Sequence, residues 1–413
     1  MHRIRKSVSA RIAFAVLTAG VLAGPGILAT SSRAAAQPGS PGGPYTTLPD
    51  PTPTAIDFGY SVAISGDTAV VGSDNTTFQD SCCIGEAFVY TKQGGEWSAP
   101  PVVLQSPSGD LSGNFGLTVA VSGTTVVVGS NDGAYVYTEQ NGVWPTTPTA
   151  ILPDPGNNAN DGFGTAVAVW GDTVLVGAQY GPAGARIGAA YLYVNQAGQW
   201  PTSPTVTLSD PEGQQGDYFG LAVALSATTA IVTALNSSGI SAAYVYDRGL
   251  AGWPSAPTRT WADPTDTNGG CFGSSVAVSG SSAIVGDGCT QPIQGLAFIY
   301  TQSPLGWAAT PSAKLCGTAE DYFGASVAIS GDNAVVGAWG EASEAGAAYV
   351  YEANGSGKWK GNPTLTVSDP GNTAWDSFGF AVSASNGQVM VGAPGENVGI
   401  PPGLGAAYIY DVP

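Results

Sequence analysis

One phrase recurs along this chain and leaves few folds open to it. Phe-Gly stands at Phe58, Phe115, Phe163, Phe219, Phe272, Phe323 and Phe378, at intervals of 57, 48, 56, 53, 51 and 55 residues. A period of that size predicts a propeller or another array whose units bury their apolar faces against one another. Each unit contains four apolar pieces. The first is FGxxVAxS, as in 58–65, and the second is the run after the Ser-Gly-Asp, as in 68–72. The third is an AAYVY-like string, as in 348–351, and the fourth follows a Trp and reads PTVTLSDP in 204–211. The pieces are short, rich in Val, Ile, Tyr and Thr, and bounded by Gly, Pro, Asp or Asn, which predicts strands. Four strands repeated seven times predict an all-β, seven-bladed β-propeller of four-stranded antiparallel blades.

The two ends of the repeat region support the same prediction. The last unit stops at its third strand, 406–410, without a Trp or a fourth strand. Residues 44–51, PYTTLPDP, match the fourth-strand pattern of TAILPDP and TLTVSDP. The N-terminal strand is therefore expected to complete the last blade and close the ring, leaving no open edge.

Upstream of that strand, residues 1–36 read as a secretory signal: a basic start, an apolar run over 12–29, and small residues suited to cleavage after Ala36. Residues 37–43, QPGSPGG, read as a flexible linker and 44–413 as the propeller. The chain is then expected to be secreted, extracellular and off the membrane once the signal is cleaved. Five of its twelve basic residues lie in the signal, so the remainder carries 7 basic against 30 acidic residues, a formal net charge of −23. Such a surface repels nucleic acid and anionic lipid, and suits solubility, cations or basic partners.

The single histidine is His2, inside the signal. That excludes from the remainder a Ser-His-Asp triad, histidine acid–base catalysis and His-ligated zinc, copper or iron. The cysteines are Cys82, Cys83, Cys271, Cys289 and Cys316. Cys271 and Cys289 fall nearly opposite each other across the blade-five hairpin and are the expected disulfide. Cys82 and Cys83 could form a vicinal bridge, with Cys316 left over.

The Phe-Gly units resemble the FG-GAP repeats of the integrin α-subunit N-terminal propeller and of bacterial secreted proteins. The full string, from Phe378-Gly379 to Gly392-Ala393-Pro394, survives in one unit and drifts elsewhere, as in Gly72-Ser73 and Thr233-Ala234. The resemblance implies a ring whose ligands bind on the face built by the loops between blades (4-1) and by the 2-3 loops within them. It also implies calcium in a longer DxDxDGxxD-type loop between strands 1 and 2. This sequence has no room for that loop, so calcium is possible but no cofactor or metal is expected.

The 1-2 turns are two-residue pairs such as Gly66-Asp67, Gly171-Asp172, Gly331-Asp332 and Asn386-Gly387, the favoured hairpin connections. A lone Asp there is a poor calcium site, since calcium takes six to eight oxygens. The 4-1 loops hold Asp161, Asp217, Asp321 and Asp376 two residues before Phe, with Asp154, Asp210, Asp263 and Asp369 upstream. These could form an acidic crown, or each could bond its own loop as an Asx turn. Phe78, Tyr180 and Trp339 in 2-3 loops, and Trp375 in a 4-1 loop, are candidate ligand-binding aromatics, with loop packing as the alternative. The recurrent Trp97, Trp144, Trp200, Trp253, Trp307 and Trp359 read as structural.

The expected function is a non-catalytic, monomeric binding propeller for a protein or glycan. The alternatives are a lectin-like module and a carbohydrate-active enzyme using paired carboxylates.

Overall fold

The computed structural model describes residues 33–34, 44–51, 57–74, 85–107, 114–131, 133–156, 161–181, 187–213, 215–235, 241–265, 270–288, 295–317, 321–354, 357–371, 374–395 and 405–412. They form seven antiparallel sheets arranged as the blades of a propeller. Blade one is Ser61–Ser65, Thr68–Ser73, Glu86–Gln93 and Val102–Gln105. The next five blades repeat that order, and blade seven supplies Ala381–Ser385, Gln388–Ala393 and Ala406–Asp411. Its fourth strand is Tyr45–Leu48, paired Tyr45 to Tyr410 through Leu48 to Ala407, so the ring closes as expected. Arg33–Ala34 adds a two-residue bridge outside Tyr45 and Thr46.

The apolar side chains gather between the blades. Seven buried clusters each join neighbouring blades; Leu48, Met390 and Ile409 of blade seven, for instance, pack with Phe58, Ile64 and Phe88 of blade one. Second strands such as Thr68–Ser73 and Thr173–Ala178 are buried along their whole length. A middle strand covered on both faces reads as a continuous apolar run, not an alternating one. Trp97, Trp144, Trp253, Trp307 and Trp359 are buried behind the 3-4 turns, while Trp200 is half-buried.

Phe-Gly does not behave as an ordinary strand start. Only blades three and five extend a strand back to it, across a register shift between Phe163 and Ala166 and between Phe272 and Ser275. In blades one, four and seven the Phe instead makes an isolated parallel bridge to the preceding blade, Phe58 to Gly405, Phe219 to Gly188 and Phe378 to Gly346. The following Gly turns the chain at positive φ, +95° at Gly59, which breaks the ladder. The motif is thus a joint between blades. A β carbon at Gly405 would sit 2.0 Å from the Phe58 carbonyl oxygen, and one at Gly72 would sit 2.2 Å from that of Gly116. Blade four places Thr233 where the others close on Gly; its hydroxyl accepts the Ala222 N–H at 3.1 Å within its own blade.

Hydroxyls complete the ring in two layers. Ser61, Ser275 and Ser326 each donate at 2.8 Å to the next blade's Phe-Gly glycine carbonyl. At the other end of the first strands, Ser65 accepts the Gly123 N–H, Ser330 the Asn386 N–H and Ser385 the Gly66 N–H. The last of these spans the closure between blades seven and one. Trp170 takes the equivalent place in blade three and stands 46 % exposed.

Candidate functional site

Up-and-down blades put the 1-2 and 3-4 turns on one rim and the 4-1 and 2-3 loops on the other. The 1-2 turns are tight: Gly66, Gly123, Gly171, Gly280 and Gly331 have φ near +55°, and Asn386 and Gly387 are both positive. Blade four differs, with no positive φ at Ala227 or Thr228 and a turn closed by Ser226 N–H to Thr229 O at 2.8 Å. Asp172 accepts the Thr173 hydroxyl at 2.9 Å, and the Asp332 carbonyl accepts the Ala353 N–H at 2.8 Å. Among the described residues, no three His, Cys, Asp or Glu side chains converge on one point. Because each 1-2 turn offers at most one carboxylate, the melting temperature is expected to stay within about 2 °C on adding EDTA. A larger drop in a calorimetric scan would show that a cation stabilises the fold.

The 4-1 carboxylates turn inward. Asp161, Asp217, Asp321 and Asp376 are all buried, so they do not project from the rim as a solvent-facing crown. Asp161 Oδ1 accepts the Phe163 N–H at 2.9 Å and Asp321 Oδ1 the Phe323 N–H at 3.0 Å. Upstream, Asp154, Asp210, Asp263 and Asp369 accept the N–H of the residue two positions on. These are Asx turns that fix each loop before it enters the next blade.

Several of these carboxyl groups lie against one another. Burial, then the charge of and a hydrogen bond with Asp74, raise Asp57 to about 7. Burial raises Asp161 to about 6, opposed by the Phe163 N–H and helped by Asp154. Burial raises Asp287 to about 6, helped by Asp263 and opposed by the Cys271 N–H and the Lys314 charge. A carboxyl pair in low dielectric holds a proton because the doubly ionised form is repelled and poorly solvated.

Charge is unevenly divided between the rims. Among the described residues from Pro44 on, the basic ones are Lys92, Arg248, Arg259, Lys314, Lys358 and Lys360. All of them lie on third strands, fourth strands or the turns between those strands. Most described carboxylates, including Asp57, Asp74, Asp154, Glu212, Asp263, Glu341 and Glu344, lie in or border the 4-1 and 2-3 loops.

The aromatic candidates separate. Phe78 lies outside the described residues. Tyr180 is 39 % exposed and meets Tyr218 edge-on at 6.0 Å, in blades three and four. Trp339 instead stacks on Tyr322 at 3.8 Å and 23° and lies 6.1 Å from Phe380. Phe380 meets Tyr60 at 4.9 Å. This arc crosses blades six, seven and one where the first strands begin. Trp375 stands 58 % exposed in the adjoining 4-1 loop, which is tied to the short helical turn Glu341–Glu344 by Ser377 N–H to Glu344 O at 2.8 Å. Tyr60, Tyr322 and Phe380 escaped the sequence reading because they flank the Phe-Gly pair and were absorbed into it. A signal was present: two positions after Phe the chain carries Tyr60, Leu117, Thr165, Leu221, Ser274, Ala325 and Phe380, aromatic only in adjacent blades seven and one.

Cys82, Cys83 and Cys289 lie outside the described residues, and Cys316 is a free, exposed thiol. Among the described residues no helix is long and apolar enough to cross a membrane. The apolar run 12–29 lies outside them.

The FG-GAP repeat model matches residues 54–90, 147–193, 203–246 and 317–351. Three of these matched segments begin near the fourth strand of one blade, and all four end in the third strand of a blade, so the sequence unit is offset from the structural one. No curated protein matches the chain. Among solved structures, a Bacteroides uniformis protein provisionally named a 6-phosphogluconolactonase is 12 % identical, with a TM-score of 0.49. The likeness covers 80 % of this chain and 96 % of that one.

Proposed function

From a chain whose blades are built on FG-GAP repeats, we propose a secreted, monomeric binding propeller without catalysis, whose ligand sits on the 4-1/2-3 rim. The observation that carries this is the aromatic arc Tyr322–Trp339–Phe380–Tyr60 across blades six, seven and one. The remaining blades carry no such run among their described residues, and an aromatic surface outside the repeating framework is the usual material of a recognition site. The inner hairpins, by contrast, are occupied with holding blade to blade.

The enzyme alternative draws on paired carboxylates, and Asp57 with Asp74 is such a pair. Comparable groupings recur at Asp154 with Asp161 and Asp263 with Asp287. Recurrence around the ring suits a loop-fixing role better than one reaction centre. The Cys271–Cys289 bridge belongs to the same reading. It is supported by Cys271 being disulfide-bonded and by Phe272 pairing with Asp287 beside it. It would hold the 4-1 and 2-3 loops of blade five together.

The test is a glycan array run beside a pull-down from the native surroundings, with and without calcium, using wild type and Trp339→Ala/Trp375→Ala. A ligand lost in the double variant supports the rim. A ligand retained in it, or turnover of a bound saccharide, would overturn the proposal.

A further inference from the structure

We propose that the opposite rim, built by the 1-2 and 3-4 turns, seats on an anionic lipid bilayer. Leu250 and Leu305 enter it as two apolar prongs, with Arg248, Lys358 and Lys360 against the headgroups. The 3-4 turns set blades four and five apart. In blades one to three the tip residues are Gly94-Gly95, Asn141-Gly142 and Ala197-Gly198, every one at positive φ. Such turns favour Gly and Asn. In blade four Gly249 and Gly252 bond each other across Leu250-Ala251, and in blade five Ser303 pairs with Gly306 across Pro304-Leu305. There the positive φ passes from the tip to the closing glycine, +102° at both Gly252 and Gly306. A turn closed in this way admits full side chains at its tip. Both blades place a leucine there, although turn tips ordinarily take Gly, Pro, Asn, Asp or Ser. The fold buries neither: Leu250 is fully exposed and Leu305 is 97 % exposed. Neither the turn nor the core accounts for them.

Two separate tips on neighbouring blades do not make the contiguous patch that a protein partner needs. A bilayer needs no matching pocket and takes each apolar side chain that reaches its acyl boundary. Charge selects the lipid. Of the six basic residues described from Pro44 on, Arg248, Arg259, Lys314, Lys358 and Lys360 all lie in blades four to six. On the same strands, 1-2 turns and 3-4 turns, the described acids are Asp247, Asp332 and Glu352. The 1-2 turns of blades four and five, Ala227-Thr228 and Gly280-Ser281, carry none. Asp247 is occupied within the fold, accepting from the Thr229 hydroxyl at 3.0 Å, the Thr258 hydroxyl at 2.9 Å and the Trp307 indole at 3.0 Å. The large net negative charge of the chain opposes an anionic surface at long range, and it underlies the expectation of a chain off the membrane. Fields fade over about 8 Å in physiological salt. The carboxylates of the 4-1/2-3 rim lie a strand's length away, roughly 20 Å for six residues. Headgroups in contact with this sector therefore meet its cations, each of which favours binding. Seated so, the propeller presents its 4-1/2-3 rim away from the lipid.

The test is co-sedimentation with vesicles at physiological salt, using the chain from residue 37 so that the apolar run 12–29 cannot itself insert. One set of vesicles is phosphatidylcholine alone, and the other holds about one third phosphatidylglycerol. Wild type is expected to bind the phosphatidylglycerol vesicles about threefold or more tighter than the neutral ones. Leu250→Ser/Leu305→Ser should weaken that binding about tenfold or more. Leu250→Trp/Leu305→Trp, apolar again, should keep it. Lys358→Gln/Lys360→Gln should cost about threefold on the anionic vesicles and nothing on the neutral ones. The leucines add nothing to the core, so the serine variant should melt with wild type. Wild type that sediments with neither vesicle, or equally with both, would overturn the proposal. So would binding that the serine variant retains. Self-association of wild type that the serine variant loses would assign the tips to a second copy and overturn it as well. The ligand reading of the other rim stands or falls separately, on the Trp339→Ala/Trp375→Ala variant.

Discussion

The melting temperature of this protein is expected to rise as the pH is lowered from 8 to 5, and Asp57→Asn is expected to remove much of that rise by stabilising the protein at pH 8. Asp57 follows from its place in the fold. It occupies the position before Phe58 with φ +61°, is held beside Asp74, and its carboxyl is raised to about 7 by burial and by that neighbour. A carboxyl whose folded pKa lies above its unfolded value contributes stability that is complete below the unfolded value, near 4, and lost as pH climbs through the folded one. The stability is therefore shed between about pH 4 and pH 7, and Asp161 and Asp287, each raised to about 6, act in the same direction. For Asp57 the difference amounts to roughly 3 kcal/mol, or about 5 °C in a domain of this size. Asparagine suits the site twice over. It tolerates the left-handed conformation, as Asn114 does at φ +51° before Phe115, and its amide donates to Asp74 without needing a proton. Scanning calorimetry of both proteins from pH 5 to pH 8 measures the effect. A wild type more stable at pH 8 than at pH 5, or an Asp57→Asn variant with an undiminished slope, would refute it.

The repeat makes the blades legible in the sequence. Runs such as Thr-Ala-Val-Val-Gly can be nothing but buried strands when glycine and aspartate bracket them, and Thr-Thr-Leu-Pro-Asp-Pro announced the closing strand by matching its counterparts. The loops were less transparent, and for a physical reason. Whether a loop carboxylate faces water or its own backbone depends on how the loop folds back, and residue type alone does not report it. Asp161 and Asp321 could be read as rim ligands or as Asx caps, with their recurrence favouring the cap, and their bonds to Phe163 and Phe323 agree with it. The arc was hidden differently. Tyr60 and Phe380 touch only because blades seven and one meet at the closure, and that contact joins residues more than three hundred positions apart. The Phe-Gly pair misled in the opposite sense: it begins a strand in blades three and five only, and in blades one, four and seven it is a joint to the preceding blade.

That same closure carries the second large effect. A chain beginning at residue 52 is expected to melt more than about 10 °C below one beginning at residue 44, and to associate at concentrations where the longer chain stays monomeric. Removing Tyr45–Leu48 strips the fourth strand from blade seven and exposes the edge of Ala406–Asp411, an invitation to pair with another chain. It also removes Leu48, 1 % exposed and packed among Phe58, Phe88 and Ile409, and leaves the Tyr90 hydroxyl without the Pro49 carbonyl it donates to at 2.6 Å. Tyr45 goes as well, with its ring contacts to Tyr408 and Tyr410 at 5.7 and 5.6 Å. Leu48→Ala alone should cost about 2–5 kcal/mol, the usual range for emptying a core site. Because the lost piece is a strand on an open edge, a synthetic peptide of residues 44–51 added to the shorter chain should restore the melting temperature in a saturable way. A Leu48→Asp peptide should not. If the shorter chain melts with the longer one, or the two peptides rescue equally, the ring is held by its other six junctions and the N-terminal strand does not close it in solution.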